Sequence, residues 1–248
     1  MMKAGFCMSG ISSGFSRWWE DLLNLVFPRR QLCLLCGAAS AEEDICRCCR
    51  QMIAEKKIAG WPECAGQDCY FILARSAGHY DGILKQAIWR FKFGGQRYLA
   101  RPLGNLMAEV VDDLATLCRL EETCRRVEIA GLVPVPLARG RLRKRGFNQS
   151  ELLARQVSLT LGLPLLPVLH KVRETPPQTG LSREQRQSNL KDAFGVCCSV
   201  LPVGRSVILI DDVFTTGCTA SECARVLLTA GIGRVYVVTL ASVAGKGG

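Results

Sequence analysis

Two hydrophobic patterns alternate along the chain: short blocks of consecutive branched apolar residues, and longer stretches in which apolar residues recur every three or four positions. The blocks read as strands buried on both faces, and the stretches as helices with one buried side. The clearest block is Val207-Ile208-Leu209-Ile210, which ends in Asp211 and Asp212 and leads through Thr215, Thr216, Gly217 and Cys218 to Thr219. An amphipathic run over 220–230 follows, predicting a helix that opens at Thr219 and that Gly231 can close. One more strand is expected at 235–240. Upstream, 71–78 reads as a strand, 83–93 as a helix stopped by Gly94-Gly95, and 97–118 as a long helix broken early by Pro102. Residues 129–136 and 165–170 read as strands, and 147–161 as a helix. Ser182 and Gln185 form a capping box for a short helix up to Leu190. Strands alternating with helices from residue 127 onward predict an α/β fold with a parallel sheet flanked by helices.

The first segment places Phe15, Trp18, Trp19, Leu22, Leu23 and Val26 on one helical face, ended by Pro28. Glu20 and Asp21 sit among few basic residues, so this face is expected to pack on the protein or a partner rather than lie on a membrane. No apolar run approaches the roughly 18 residues of a membrane span. The N-terminus also lacks the apolar core and cleavage site of a signal peptide, so a cytoplasmic protein is expected.

The loop at 211–219 is where chemistry is expected. At the carboxyl edge of an open parallel sheet, the helix that follows a strand offers unpaired N–H groups to an anion. Thr215, Thr216 and Thr219 add hydroxyl donors, and Gly217 lets the backbone curl around a phosphate without a Cβ in the way. Asp211 and Asp212 repel that phosphate, but they can accept hydrogen bonds from vicinal hydroxyls or hold a divalent cation. A ribose 5-phosphate presents a phosphate at one end and a cis-diol at the other. A Gly-Lys-Ser/Thr nucleotide loop is absent, and the plain alternative is an acidic flank to an ordinary helix.

Charge sharpens the picture. The formal charge is +10, and two acid-free segments carry ten cations between them: Lys85, Arg90, Lys92, Arg97 and Arg101, then Arg139, Arg141, Arg143, Lys144 and Arg145. Such concentration suits a polyanion, whether pyrophosphate or nucleic acid. The second segment joins a strand to a helix start and is expected to be a flexible lid. In the first, Trp89, Phe91, Phe93 and Tyr98 interleave with the cations, a pattern able to stack on a single strand, although aromatics at helical spacing are more often core.

Fourteen cysteines in a cytoplasmic chain are thiols, some of them metal ligands. Cys33 and Cys36 make one C-x-x-C pair, and after nine intervening residues Cys46, Cys48 and Cys49 offer a second. Cys46 with Cys49 repeats the first spacing and is preferred, although Cys46 with Cys48 is also available. Four such thiolates can close around a structural zinc ion, and so small a segment has too little core to fold without a staple. Cys64 and Cys69 alone lack two ligands for a second site.

Residues 211–219 resemble the phosphoribosyl pyrophosphate (PRPP) motif of type I phosphoribosyltransferases. More of the chain resembles the ComF family, the relatives of competence protein F. The match includes the two cysteine pairs, Lys92-Phe93-Gly94, Val133-Pro134-Val135-Pro136 and Arg145-Gly146-Phe147-Asn148-Gln149. It also includes the spacing of Arg173, Thr175, Gln178, Arg186 and Asn189. Departures are Cys64 and Cys69, where relatives often have further C-x-x-C pairs, and Cys218, where small residues are usual.

The resemblance implies a type I phosphoribosyltransferase-like parallel sheet flanked by helices, preceded by a small zinc-finger segment. The expected organisation is an amphipathic helix over 1–30, a cysteine-rich zinc-finger segment over 31–70 and a phosphoribosyltransferase-like domain over 71–248. Asp211 and Asp212 are expected on the ribose hydroxyls and Thr215, Thr216, Gly217, Cys218 and Thr219 around the 5-phosphate, with Mg2+ accompanying PRPP. Arg139, Arg141, Arg143, Lys144 and Arg145 are expected on pyrophosphate or nucleic acid. The activity implied is ribose 5-phosphate transfer to an unidentified acceptor. The alternative is non-catalytic handling of single-stranded DNA in competence, with competence-machinery proteins as partners.

Overall fold

The computed structural model describes residues 32–40, 44–55, 69–120, 128–174, 182–197 and 201–243. The expected helix at 15–27, Cys64, Thr175 and Gln178 lie outside the described residues. In chain order the elements begin with α1 (Arg47–Glu55), β1 (Leu73–His79) and α2 (Gly82–Phe93), then a 3-10 turn (Arg97–Leu99) and α3 (Ala100–Leu120). Next come β2 (Ile129–Pro134), α4 (Arg139–Arg145), α5 (Gln149–Leu161), β3 (Leu169–Lys171) and α6 (Arg183–Leu190). The described chain closes with β4 (Phe194–Val196), β5 (Ser206–Phe214), α7 (Cys218–Thr229) and β6 (Arg234–Ser242).

The main sheet runs β1-β6-β5-β2 with every pairing parallel, so the expected parallel α/β architecture is present. β5 lies inside the sheet, and its alternating side chains build two cores. Ile208 and Ile210 pack with apolar residues of α2, α3 and α5, whereas Val207 and Leu209 pack with Ala220, Cys223, Ala224 and Leu227 of α7. Continuous apolar sequence is the signature of a strand covered on both sides. The first core also takes in Cys33, Leu35, Ile45, Cys49 and Ile53 from the cysteine segment. Gly78 permits this approach: a Cβ there would meet Ile53 Cγ2 at 3.0 Å.

Four local expectations change. Pro102 does not break α3 but sits in its first turn, where a missing N–H costs no intrahelical bond. The strand expected at 165–170 divides, because Pro167 has no N–H for a ladder. Leu165 bridges Leu132 in parallel, while β3 turns away to pair antiparallel with β4. β5 does not stop at the carboxylates; β6 accompanies it through Asp211↔Thr239 to Phe214↔Ser242. Finally, the basic stretch is not a flexible lid but a seven-residue helix, α4. Glu174 Oε1 accepts a hydrogen bond from Gly140 N at 2.8 Å, placing a carboxylate at the helix start where the dipole favours one. Among the described residues no helix is long and apolar enough to cross a membrane.

Candidate functional site

The two acids stand near the carboxyl end of β5 and are held differently. Asp211 Oδ1 accepts hydrogen bonds from Ser150 Oγ at 2.8 Å and from the Asp212 backbone N–H at 2.9 Å. Asp212 instead faces Lys92, whose Nζ lies 2.8 Å from Oδ1. Burial, and then the charge of Asp212, pushes Asp211 up to about 7 despite the Asp212 N–H, the Ser150 hydroxyl and Lys92. Ser150 is placed by the start of α5. Asn148 caps that helix by accepting from Ser150 N at 3.2 Å, and its Nδ2 donates to Val135 O at 3.0 Å, tying the helix start to the exit of β2.

These groups border a cavity of about 410 Å³, within the range of small-molecule sites. Its cations are Lys92, Arg141, Arg145 and Lys171, against the carboxylates of Asp211 and Asp212. With Lys92 engaged by Asp212, positive charge predominates on the remaining wall. Burial pulls the Arg145 guanidinium below its ordinary range, with Asp212 opposing the shift. That guanidinium lies 5.0 Å from the Phe93 ring centre and donates to Gln149 Oε1, so it is fixed from two sides. Burial, and then repulsion from Arg141, brings the Lys171 ammonium down to about 8, and it sits 5.3 Å from the Phe194 ring centre.

The threonine loop turns through Gly217, the N-cap of α7, at φ +76. A Cβ there would meet the Phe214 ring at 2.9 Å, so both conformation and space call for glycine. Thr215 and Thr219 line the cavity. Thr216 and Cys218 do not; the Thr216 hydroxyl donates to Cys218 Sγ at 3.2 Å. The helix begins at Cys218, one residue before the expected Thr219, and its C-cap is Ala230 rather than Gly231. On the basic helix, Arg141 and Arg145 reach the cavity, whereas Arg139, Arg143 and Lys144 are exposed outside its lining.

Ser150 and Lys171 join the site without a sequence signal, and Lys92 and Asn148, noted in the basic stretch and the family match, carry no sequence sign that they meet the acid pair or its helix. They join the site through partners distant in sequence. Of the aromatics considered for stacking, Phe91 is fully buried and belongs to the core, whereas Trp89 (58%), Phe93 (64%) and Tyr98 (56%) are exposed.

A second feature is the cysteine knuckle. Sγ atoms of Cys33, Cys36, Cys46 and Cys49 all lie within 4.8 Å of one another, while Cys48 is exposed and outside the group, which decides the second pair. The sulfurs of Cys33 and Cys49 are 3.8 Å apart and those of Cys36 and Cys46 are 3.7 Å apart. Four thiolates each about 2.3 Å from one ion stand about 3.8 Å from each other at tetrahedral angles, so the quartet could hold a structural metal. Burial pushes the Cys33 thiol up, but hydrogen bonds from the Cys36, Cys46 and Leu35 backbone outweigh it and bring the thiol down to about 6. Gly37, at φ +78, makes the turn between the first pair and Ala38.

No protein-family model matches the chain. Competence protein F of Haemophilus influenzae is 37% identical over 167 residues, covering 66% of this chain and 70% of that one. The chain belongs to the competence protein F family. Among other ComF relatives, the DNA utilization protein YhgH of Escherichia coli K12 is 42% identical over 160 residues, covering 64% of this chain and 66% of YhgH. Competence protein ComFC of Bacillus subtilis is 26% identical over 200 residues, covering 81% of this chain and 72% of ComFC. Solved structures with some similarity include adenine phosphoribosyltransferase from Saccharomyces cerevisiae (22% identity, 55% of this chain, 69% of that chain, TM-score 0.31). Orotate phosphoribosyltransferase from Aeropyrum pernix gives 20% identity, 52% and 56% coverage and a TM-score of 0.26. Likeness this slight carries no weight for what this ComF chain binds.

The electrostatics of Asp211 lead to a pH prediction. Its carboxyl carbon should titrate near pH 7 by NMR; Asp212→Asn should lower that midpoint and Ser150→Ala should raise it. Because the folded acid holds its proton more tightly than the unfolded one, its favourable contribution is full below the ordinary carboxylate range and is lost as pH rises toward about 7. Asp211→Asn should therefore flatten the decline in denaturant stability over that window.

Proposed function

We propose that the cavity is a PRPP site in a phosphoribosyltransferase-like protein. Asp211 and Asp212 accept hydrogen bonds from the ribose hydroxyls, the loop from Thr215 to Thr219 takes the 5-phosphate, and Arg141 and Arg145 meet pyrophosphate. The observation that carries this reading is the meeting, in one cavity, of an acid pair, a hydroxyl-bearing helix start and a wall of cations. Thr215 and Thr219 serve by side chain. Thr216, Gly217 and Cys218 serve through the loop's backbone, since a helix start suits an anion. In this reading residues 71–248 form the PRPP-binding unit, 31–70 the metal-holding segment, and 1–30 an amphipathic helix.

Transfer of ribose 5-phosphate would gather positive charge at the ribose carbon while pyrophosphate departs. Arg141, Arg145 and Lys171 border the cavity and are placed to stabilise the leaving anion. The acceptor is unidentified. The donor set fits Mg2+ arriving with PRPP: two adjacent carboxylates, Asp211 and Asp212, line the cavity side by side. Asp211 and Asp212 would hold the ion from the protein side, and when bound it supplies charge that offsets pyrophosphate.

The same surface supports a second reading, in which the protein handles single-stranded DNA. Trp89 and Phe93 lie exposed with ring centres 5.9 Å apart, next to Arg145 over Phe93. Arg139, Arg143 and Lys144 stand exposed nearby on α4, and the relatives' names speak of competence and DNA utilization. Competence-machinery proteins are the partners this reading would bring. The cysteine quartet is read as a structural zinc site, suited to a reducing, cytoplasmic setting.

Three outcomes follow. Asp211→Asn with Asp212→Asn should weaken PRPP by roughly ten- to a hundred-fold in calorimetric titrations, with a simple alkyl phosphate much less affected. Thr219→Val should weaken both ligands alike, and equal PRPP affinity in wild type and the double variant would refute the assignment. Purified protein should carry about one zinc per chain, lost in Cys36→Ser; a folded, metal-free 31–70 segment would contradict this. For DNA, oligothymidylate affinity should fall steeply with salt, and charge reversal at Arg143 and Lys144 should flatten that slope, whereas salt-independent binding would leave the basic residues to pyrophosphate.

A further inference from the structure

The cysteine knuckle and the acid pair are joined by one helix. Arg90, in the last turn of α2, donates from Nη2 to Leu34 O at 2.6 Å and to Leu35 O at 3.2 Å, the two carbonyls between Cys33 and Cys36. Two residues later, Lys92 makes the 2.8 Å ion pair with Asp212. Positions two apart on a helix point roughly 200° from each other, so these side chains leave nearly opposite sides. Between them, Phe91 is fully buried, its ring centre 5.5 Å from that of Phe147.

α2 ends at Gly94, whose N–H donates to Arg90 O at 2.8 Å, and Gly95 follows at φ +66. Arg90 Nε is buried without a hydrogen-bond partner among the described residues. A Met at this position would fill similar space without that unpaired N–H, but it cannot hold the carbonyls between the cysteines.

We propose that Arg90 is a positioning residue that couples the four-cysteine knuckle to the ligand site. By fastening the last turn of α2 to the C-x-x-C loop, it sets the place of Lys92 against Asp212. Metal held by the knuckle orders the loop that Arg90 grips, and the acid pair receives its counter-charge in register. Losing the metal lets the loop shift, and Lys92 with it. The inference rests on the reading of the knuckle as a metal site and of the cavity as a PRPP site, and one measurement below is independent of PRPP.

The experiment uses the full chain with reductively 13C-methylated lysines, the Lys92 resonance being assigned by its loss in Lys92→Arg. Three quantities are compared in wild type, Arg90→Lys and Arg90→Met: zinc content, PRPP affinity and the position of the Lys92 resonance. Arg90→Met should keep its zinc, weaken PRPP about tenfold, and move the Lys92 resonance toward its position in Asp212→Asn. Arg90→Lys, able to reach one carbonyl, should recover part of both effects, which a general loss of stability would not produce. Chelating the metal from wild type should move the same resonance, and chelation of Arg90→Met should move it no further. A zinc-loaded Arg90→Met protein with the wild-type resonance and PRPP affinity overturns the proposal. Should Arg90→Met not fold, an unmoved Lys92 resonance in chelated wild type overturns it alone. If the resonance shifts as expected but wild type binds no PRPP, the coupling stands and the PRPP reading fails.

Discussion

Two carboxylates on consecutive residues of a strand buried over most of its length repel each other and lose water, and much of the surrounding structure follows from keeping them there. Each is answered differently. Asp211 takes a hydroxyl from α5 and a backbone N–H from its neighbour, which leaves it near the balance between acid and carboxylate at about 7. Asp212 takes a full positive charge from α2. The pair is therefore anchored to helices on the first-core side of the sheet, and those helices are in turn set by Asn148 at the exit of β2 and by the core packing of Phe91 against Phe147.

The rest of the cavity balances that negative pole. Arg141, Arg145 and Lys171 come from α4 and β3, whose sequences read as a lid and as part of a longer strand. Both are held by contacts of their own: Glu174 at the start of α4, Gln149 and Phe93 against Arg145, and Phe194 beside Lys171. Arg145 and Lys171, fixed in this way, are partly desolvated and aimed before a polyanion arrives, which lowers the reorganisation that binding would otherwise require. On the proposed reading, a ligand with a diol at one end and phosphates at the other would use both poles, whereas a simple phosphate would use one.

What the sequence made legible was local. Four consecutive branched apolar residues before Asp211 identify a covered strand, and the repeated C-x-x-C spacing identifies the cysteine quartet. Ser182 and Gln185 form their reciprocal capping bonds as expected, with Ser182 N donating to Gln185 Oε1 at 2.9 Å and Gln185 N to Ser182 Oγ at 3.2 Å. What stayed hidden depended on pairs distant in the chain. Nothing near Lys92 announces Asp212, and nothing near Gly140 announces Glu174, so local sequence carries no sign of the ion pair and gives α4 the look of a mobile lid. The three-residue β4 has too little pattern to stand out, and it exists because Pro167 ends the ladder at β2 and releases β3. Phe91 and Phe93 share one basic stretch, yet helical geometry sends the first into the core and leaves the second beside Arg145.

The central claim is that burial keeps Asp211 partly protonated until hydroxyl donors from a sugar favour the carboxylate. Proton release on PRPP binding measures this directly, through calorimetry near pH 7 in two buffers of different ionisation enthalpy. Wild type should release a fraction of a proton beyond that released by Asp211→Asn, and the difference should shrink as pH rises above the Asp211 midpoint. Identical proton release by wild type and Asp211→Asn across that range, with PRPP bound by both, would contradict the account.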